Sequence, residues 1–214
     1  EPVDLAVVAT GVIRDSFPKG DITVSDAFNV SALGIGADRI TGYPLVIVYL
    51  TGAELKTVAE VDASVSSLMS AAQLYPSGMA WTFIPHRMIL NKVTDVYMTT
   101  DQVGEEEPLT QEKLESIQDD KLYRVVSGLY SAQMLGAVEG QSKGILKITP
   151  KNADGEPITD FEKYIIHDQN GAEVKEWYAL ASYLESFSEN DEGVSVVPER
   201  YEKTENRKVI NDRR

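Results

Sequence analysis

The chain has no cysteine in its 214 residues, so disulfides, thiolate nucleophiles and zinc sites built on cysteine are excluded. No apolar run approaches the roughly 20 residues that a membrane-spanning helix needs, and no basic stretch leads into an apolar one at the amino end. Histidine is scarce, with His86 and His167 the two in the chain. A dimetal hydrolytic site needs several His, Asp and Asn ligands converging on two ions, and neither histidine sits in an Asp-x-His, Asn-His-Asp/Glu or Gly-His-x-His setting. The Gly-x-Ser-x-Gly elbow of a serine hydrolase is also missing. Positive charge is short as well: 20 Lys and Arg face 34 Asp and Glu, and the net charge of −14 opposes nonspecific attraction to nucleic acid or an anionic membrane. An anionic ligand therefore needs a local cation, and Arg14, Arg39, Arg87 and Arg124 are the ones to follow.

What is present suffices for a core. With 43% hydrophobic residues, the chain reads as one domain over residues 1–198, followed by a charged tail over 199–214 that runs along the surface or frays. Apolar, Val-rich runs at 3–9 and 44–50 predict buried strands. Thr23 predicts the cap of a short helix through Asn29, and residues 31–42, interrupted by three glycines, a loop that returns past the first one. Thr51-Gly-Ala-Glu54 has capping-box spacing, with Leu50 and Leu55 placed as a hydrophobic staple. The helix it opens is predicted to reach about Val61, burying Leu55, Val58 and Ala59 and leaving Lys56 and Glu60 outside. In that box Thr51 is expected to matter more than Glu54.

Strands are expected over 73–75, 79–84, 92–98, 123–127 and 145–149, with Pro-Ser-Gly separating the first two. Residues 101–108 read as an acidic loop, and 130–138 as a short helix with Met134 and Leu135 inward. Turns are predicted at Asn152-Ala-Asp-Gly155 and Asn170-Gly171. Residues 173–187 carry Trp177, Leu180, Ala181 and Leu184 at helical spacing, read as core packing. The whole reads as a mixed α/β (α+β) domain, a mixed sheet flanked by helices.

The most informative stretch is Val7-Val8-Ala9-Thr10-Gly11-Val12-Ile13-Arg14, a strand that drops through Thr-Gly into a loop ending on an arginine. Backbone N–H groups and a fixed guanidinium can meet an anion there. With Gly20-Asp21-Ile22-Thr23, Asp26-Ala-Phe-Asn29, Leu50-Thr-Gly-Ala-Glu-Leu-Lys56, Ser77-Gly78-Met79 and Tyr123-Arg-Val-Val126, the order of motifs resembles the C-terminal domain of the 5'-nucleotidase family (5'-nucleotidases, UDP-sugar hydrolases and 2',3'-cyclic phosphodiesterases).

The resemblance implies a substrate-recognition domain that holds the nucleoside part of a nucleotide, while a divalent metal pair in an N-terminal metallophosphoesterase domain of the same polypeptide hydrolyses the phosphate ester. On this reading the present residues are a fragment of a hydrolase, contain no catalytic or metal-binding residues and bind no cofactor of their own. The protein is expected to be bacterial and exported, whether periplasmic, wall-attached or extracellular. The resemblance further implies Arg14, Thr10, Gly11, Leu33 and Tyr130 as substrate-binding residues, the Arg14 guanidinium projecting into a cleft bordered by residues 31–36 and the helix at Tyr130. The chain departs from the family at three places. Its first loop has Ala9 and Val12 where the family's Asn-x-Gly-Gly-Ile-Arg has Asn and the second Gly. Leu33 stands for one base-stacking aromatic, and the Gly-Gly-Asp-Gly-Phe/Tyr stretch has no counterpart in Gln133-Met-Leu-Gly-Ala-Val138. Tyr75, Trp81 and Tyr130 could supply a substitute platform. A helix that precedes the first strand in the family is not found after Glu1, so the expectation is either that it was trimmed away or that a partner domain gives that cover. The alternative function is a non-catalytic ligand-binding or interaction module of an exported surface protein.

Overall fold

Two four-stranded sheets carry the fold of the computed structural model, which describes residues 2–66, 70, 73–99, 114–141, 146–202 and 207–211. In the first, β1 (Leu5–Ala9), β2 (Leu45–Thr51), β3 (Leu74–Ser77) and β7 (Leu122–Gly128) lie in the order β2-β7-β1-β3, with β1 and β7 parallel and the outer pairs antiparallel. In the second, β4 (Met79–Phe83), β5 (Val93–Thr99), β6 (Leu114–Ser116) and β8 (Lys208–Ile210) run β6-β5-β4-β8. One residue, Gly78, separates β3 from β4. Its φ of 83° suits glycine, and a Cβ there would strike the Asp4 carbonyl. The expected Pro-Ser-Gly break is thus one residue long: Pro76 lies within β3, tolerated because β3 is an edge strand.

Helix α1 (Val24–Ser31) begins at Thr23 with a complete capping box to Asp26, and α2 (Gly52–Val65) begins at Thr51 with one to Glu54. Leu55, Val58 and Ala59 are buried as expected, joining Val48, Leu50, Leu5, Val125 and Trp81 in one core. Burying a side chain such as Leu55 fully is worth about 1.5–3 kcal/mol.

Two expectations for α2 fail. The helix continues past Val61 because Asp62 is an inward anchor, accepting the Leu74 N–H at 2.7 Å and the Lys208 ammonium at 2.9 Å. Glu60 is half-buried, its carboxylate accepting the N–H groups of Lys92 and Val93 where the chain enters β5. The Lys208 contact lies inside the charged tail, where β8 pairs parallel with β4.

Helix α3 (Leu129–Gln141) buries Leu129, Ala132 and Leu135, a three-residue spacing that turns Met134 outward, contrary to expectation. Residues 146–149 join no ladder, so the strand expected at 145–149 is not formed over its described part, although Ile148 is buried. The predicted acidic loop lies outside the described residues. Both predicted turns are present, with Gly155 and Gly171 at positive φ.

The segment after α3 runs along the open edge of β2. Single bridges join Lys151 to Tyr49, Ile165 to Val46 and Lys175 to Pro44. Because Lys175 is extended, α4 (Glu176–Glu185) starts later than expected. It packs on α1, with Trp177 edge-on to Phe28 at 5.4 Å. Trp177, Leu180, Ala181 and Leu184 are consequently half-buried against a neighbouring helix, rather than part of the main core.

Candidate functional site

The parallel strands β1 and β7 both deliver their carboxyl ends to one edge of the first sheet, the usual place for a ligand in open sheets of this kind. From β1 the chain enters a 3-10 turn, Thr10–Val12, which buries Val12 and leaves Ile13 and Arg14 exposed. Thr10 is fixed by its N–H and hydroxyl, both donated to the Gln73 carbonyl, and Gly11 is half-buried beside it. The Arg14 N–H donates to Val30 near the end of α1 at 2.9 Å. The loop after β1 is thereby tied to the last turn of α1, just before the glycine-interrupted loop at 31–42 begins. Among the described residues no group pairs with the Arg14 guanidinium.

The α1 loop returns through a short hairpin, Ile35 bridging Thr41, to Tyr43, whose N–H donates to the Leu33 carbonyl at 2.8 Å. Leu33 is half-buried. The Tyr43 ring lies against Gly34, where a Cβ would overlap it, and stacks on Tyr130 at 5.4 Å and 16°. Tyr130, in the first turn of α3, remains exposed. Of the proposed substitute platforms, Trp81 is buried in the core and is ruled out, while Tyr75 on β3 has the Lys208 ammonium 5.3 Å from its ring centre. Tyr43 was not legible in the sequence: it meets Tyr130 only through the fold, with no local spacing to announce it.

Two buried groups from beyond α3 fasten these loops. Lys175 donates to Asp38 at 2.7 Å and to Glu173 at 2.6 Å, and the Asp38 N–H donates to Glu173, so the hairpin is clamped at its base. Next to it, the Glu176 carboxyl is buried over Gly128, where a Cβ would overlap it, and accepts a long 3.4 Å hydrogen bond from Ser31. The Glu176 N–H donates to the Tyr43 carbonyl at 3.0 Å. Burial pushes this carboxyl up from 4.5 to about 7, against the smaller opposing effect of the Ser31 hydroxyl.

Elsewhere, a concavity of about 300 Å³ between α2 and β5 is lined by Lys56, Glu60 and Asp95 among others, and contains none of the expected site residues. His86 is exposed, and His167 lies with Nδ1 3.0 Å from the Ile165 carbonyl. Among the described residues no three His, Asp or Glu side chains converge as a metal site would require. No described helix is long and apolar enough to cross a membrane.

Comparison with known proteins gives these features a lineage. No curated protein matches the sequence. Among solved structures, a 5'-nucleotidase precursor from Thermus thermophilus is similar over 99% of this chain and 32% of its own, at 21% identity and a TM-score of 0.60. The sulfate thiohydrolase SoxB of Thermus thermophilus is similar over 99% of this chain and 29% of its own, at 16% identity and a TM-score of 0.53. A 5'-nucleotidase assigned in Staphylococcus aureus is similar over 97% and 33%, at 13% identity and a TM-score of 0.51. The chain thus spans about a third of each of these structures, and the likeness is one of fold. The model of the family described as "5'-nucleotidase, C-terminal domain" matches residues 1–138, from β1 through most of α3, and the chain belongs to that family.

Proposed function

We propose that this chain recognises the leaving-group part of a phosphate ester, with nucleotides as the substrate class, for a metallophosphoesterase domain elsewhere in the same polypeptide. That domain would supply the divalent metal pair and the hydrolytic step, and the whole protein would be exported. The observation that supports the reading is the hydrogen bond that ties the Arg14 backbone to Val30 at the end of α1, together with Tyr43, which bonds Leu33 and stacks on Tyr130, the Arg14 loop and the start of α3 being the segments that lead on from the carboxyl ends of β1 and β7. Arg14 offers an exposed fork of donors to phosphate or ribose oxygens, and Tyr130 offers an exposed ring. Family membership and the span of about a third of its structural neighbours support a division of labour between two domains.

With Leu33 in place of a stacking aromatic and one face of Tyr130 occupied by Tyr43, affinity for the isolated chain is expected in the millimolar range, about −4 kcal/mol. Titration of AMP, adenosine and inorganic phosphate into the isotopically labelled chain should shift the amides of Thr10, Gly11, Arg14, Leu33 and Tyr130. Arg14→Ala should weaken AMP more than adenosine. Shifts confined to other parts of the chain would overturn the assignment. The same chain with added Mn²⁺, Zn²⁺ or Mg²⁺ should not turn over AMP or an aryl phosphate.

A second reading, a non-catalytic interaction module, is favoured by Ile35 and Ile40, both exposed on a hairpin that ion pairs of the buried Lys175 fasten at its base. The protein upstream discriminates the two: metal-ligand motifs there support the enzyme.

A further inference from the structure

The candidate site is assembled from segments far apart in sequence, and one residue touches three of them, two through its side chain and one through its backbone. The Glu176 carboxyl reaches the end of α1 through Ser31 and the β7–α3 junction through Gly128, and the residue's backbone N–H donates to the Tyr43 carbonyl of the chain entering β2. These are the same segments that carry Leu33, Tyr130 and the Tyr43 stack. The residue belongs to the part of the chain beyond the 1–138 family match. We propose that the Glu176 carboxyl is a proton-operated latch on the candidate site: protonated, it seats between Ser31 and Gly128 and holds the end of α1 against the β7–α3 junction; ionised, it withdraws and lets them part.

The surroundings of the carboxyl support this. Only 8% of the residue is exposed, and its single side-chain hydrogen bond among the described residues is the long one from Ser31. From the packed elements the carboxyl meets a hydroxyl and a glycine, and among the described residues no cation pairs with it. The one charged group on α1 is Asp26, in its exposed first turn; Arg124 of β7 has its N–H on Asp4, at the other end of that strand. The loop brings Asp38 and Arg39, but Asp38 is engaged by Lys175, and Lys175 itself is committed to Asp38 and Glu173. The phenols of Tyr43 and Tyr130 are stacked on each other. An ionised carboxylate in this buried seat has no counter-ion among the described residues, whereas the neutral acid is tolerated. Burial accordingly raises its proton affinity into the neutral range, so that ordinary changes of pH operate it.

The inference rests on the site reading above, and its test separates the two. Carboxyl ¹³C and amide spectra of the full 214-residue chain are followed from about pH 5 to pH 9, through the neutral range in which perturbed groups titrate. The Glu176 carboxyl should titrate near 7, and the amides of Ser31, Tyr43 and Gly128 and the Trp177 indole should shift in the same step. Glu176→Gln should abolish that step, while His167→Asn leaves it in place. Hydrogen exchange at the Tyr43 amide, corrected for intrinsic rates, should accelerate about tenfold more between pH 6 and 8 than in Glu176→Gln. A Glu176 carboxyl that titrates in the ordinary glutamate range overturns the latch, as does a step that survives Glu176→Gln or vanishes with His167→Asn. Adenosine, uncharged over this range, serves as the ligand probe: weaker binding above the step supports control of the site, and equal binding on both sides overturns that control. Absence of adenosine binding at every pH overturns the nucleotide reading and not the latch, which the amide step decides.

Discussion

Replacing Glu176 by glutamine isolates the energetic cost of one buried acid. In the unfolded chain the carboxyl has its ordinary value of 4.5, and in the fold burial lifts it to about 7. Between those values the folded state retains a proton that the unfolded state releases, so stability falls as pH rises. The stabilisation is complete below 4.5 and lost once pH has passed about 7. At 1.36 kcal/mol for each pH unit of difference, the loss approaches about 3 kcal/mol by pH 8. Glutamine keeps the shape and the Ser31 contact without the charge. Urea denaturation of both proteins at pH 5 and pH 8 should show the variant gaining on the parent by about 2–3 kcal/mol between the two, near 1 M in midpoint. Every other titrating group cancels in that comparison. Parallel pH profiles for the two proteins would refute the reasoning, because the carboxyl would then be ionised in the fold at no cost.

The capping box of α2 yields a reversal of the sequence expectation. Thr51→Ala should cost about 0.5–2 kcal/mol, as loss of an N-cap does. Glu54→Ala should cost more, since Glu54 also accepts from the Lys151 ammonium at 2.5 Å and the Thr149 N–H at 3.0 Å, and denaturation midpoints of the two variants will rank them. Burial works to raise the Glu54 carboxyl, but Lys151 and the N–H groups of Thr51 and Thr149 hold it below the usual value. Its stabilisation is therefore present above pH 4.5 and lost as pH falls through the lowered value, opposite in sign to that of Glu176. Lys175→Met should destabilise by about 3–5 kcal/mol, since it strands Glu173, and should raise hydrogen exchange across residues 34–42 ahead of global unfolding.

Legibility in the sequence followed the range of the forces involved. The caps at Thr23 and Thr51 were readable because donor and acceptor lie three residues apart. The Val-rich strands were readable because alternation and burial are written along a single run. Inward carboxylates were not: half-buried Glu60 and buried Asp62 and Glu176 look like solvent-facing residues until the strand ends, lysine or glycine that receive them arrive from elsewhere in the chain. Asp62 in particular made α2 look shorter than it is. In the site, Arg14 and its loop were visible as a strand-to-loop junction, and the structure puts them beside the end of α1. The partner of Tyr130 was not visible, because the Tyr43–Tyr130 stack depends on how the loop after α1 folds back on β7 and α3.

The bridges along β2 have a consequence for where this molecule can be divided. A cut at residue 138, the limit of the family match, would remove Lys151, Ile165 and Lys175 from the edge of β2 and take Ile148, Ile158 and Ile165 out of the core. Seven residues of Val-, Ile- and Leu-rich backbone would then face solvent with donors and acceptors unpaired along one side. Such an edge recruits another strand, commonly one from an identical chain. The shorter piece, although it contains every motif by which the family is recognised, should associate with itself instead of standing alone. The unit of recognition and the unit of folding are different lengths of the same polypeptide.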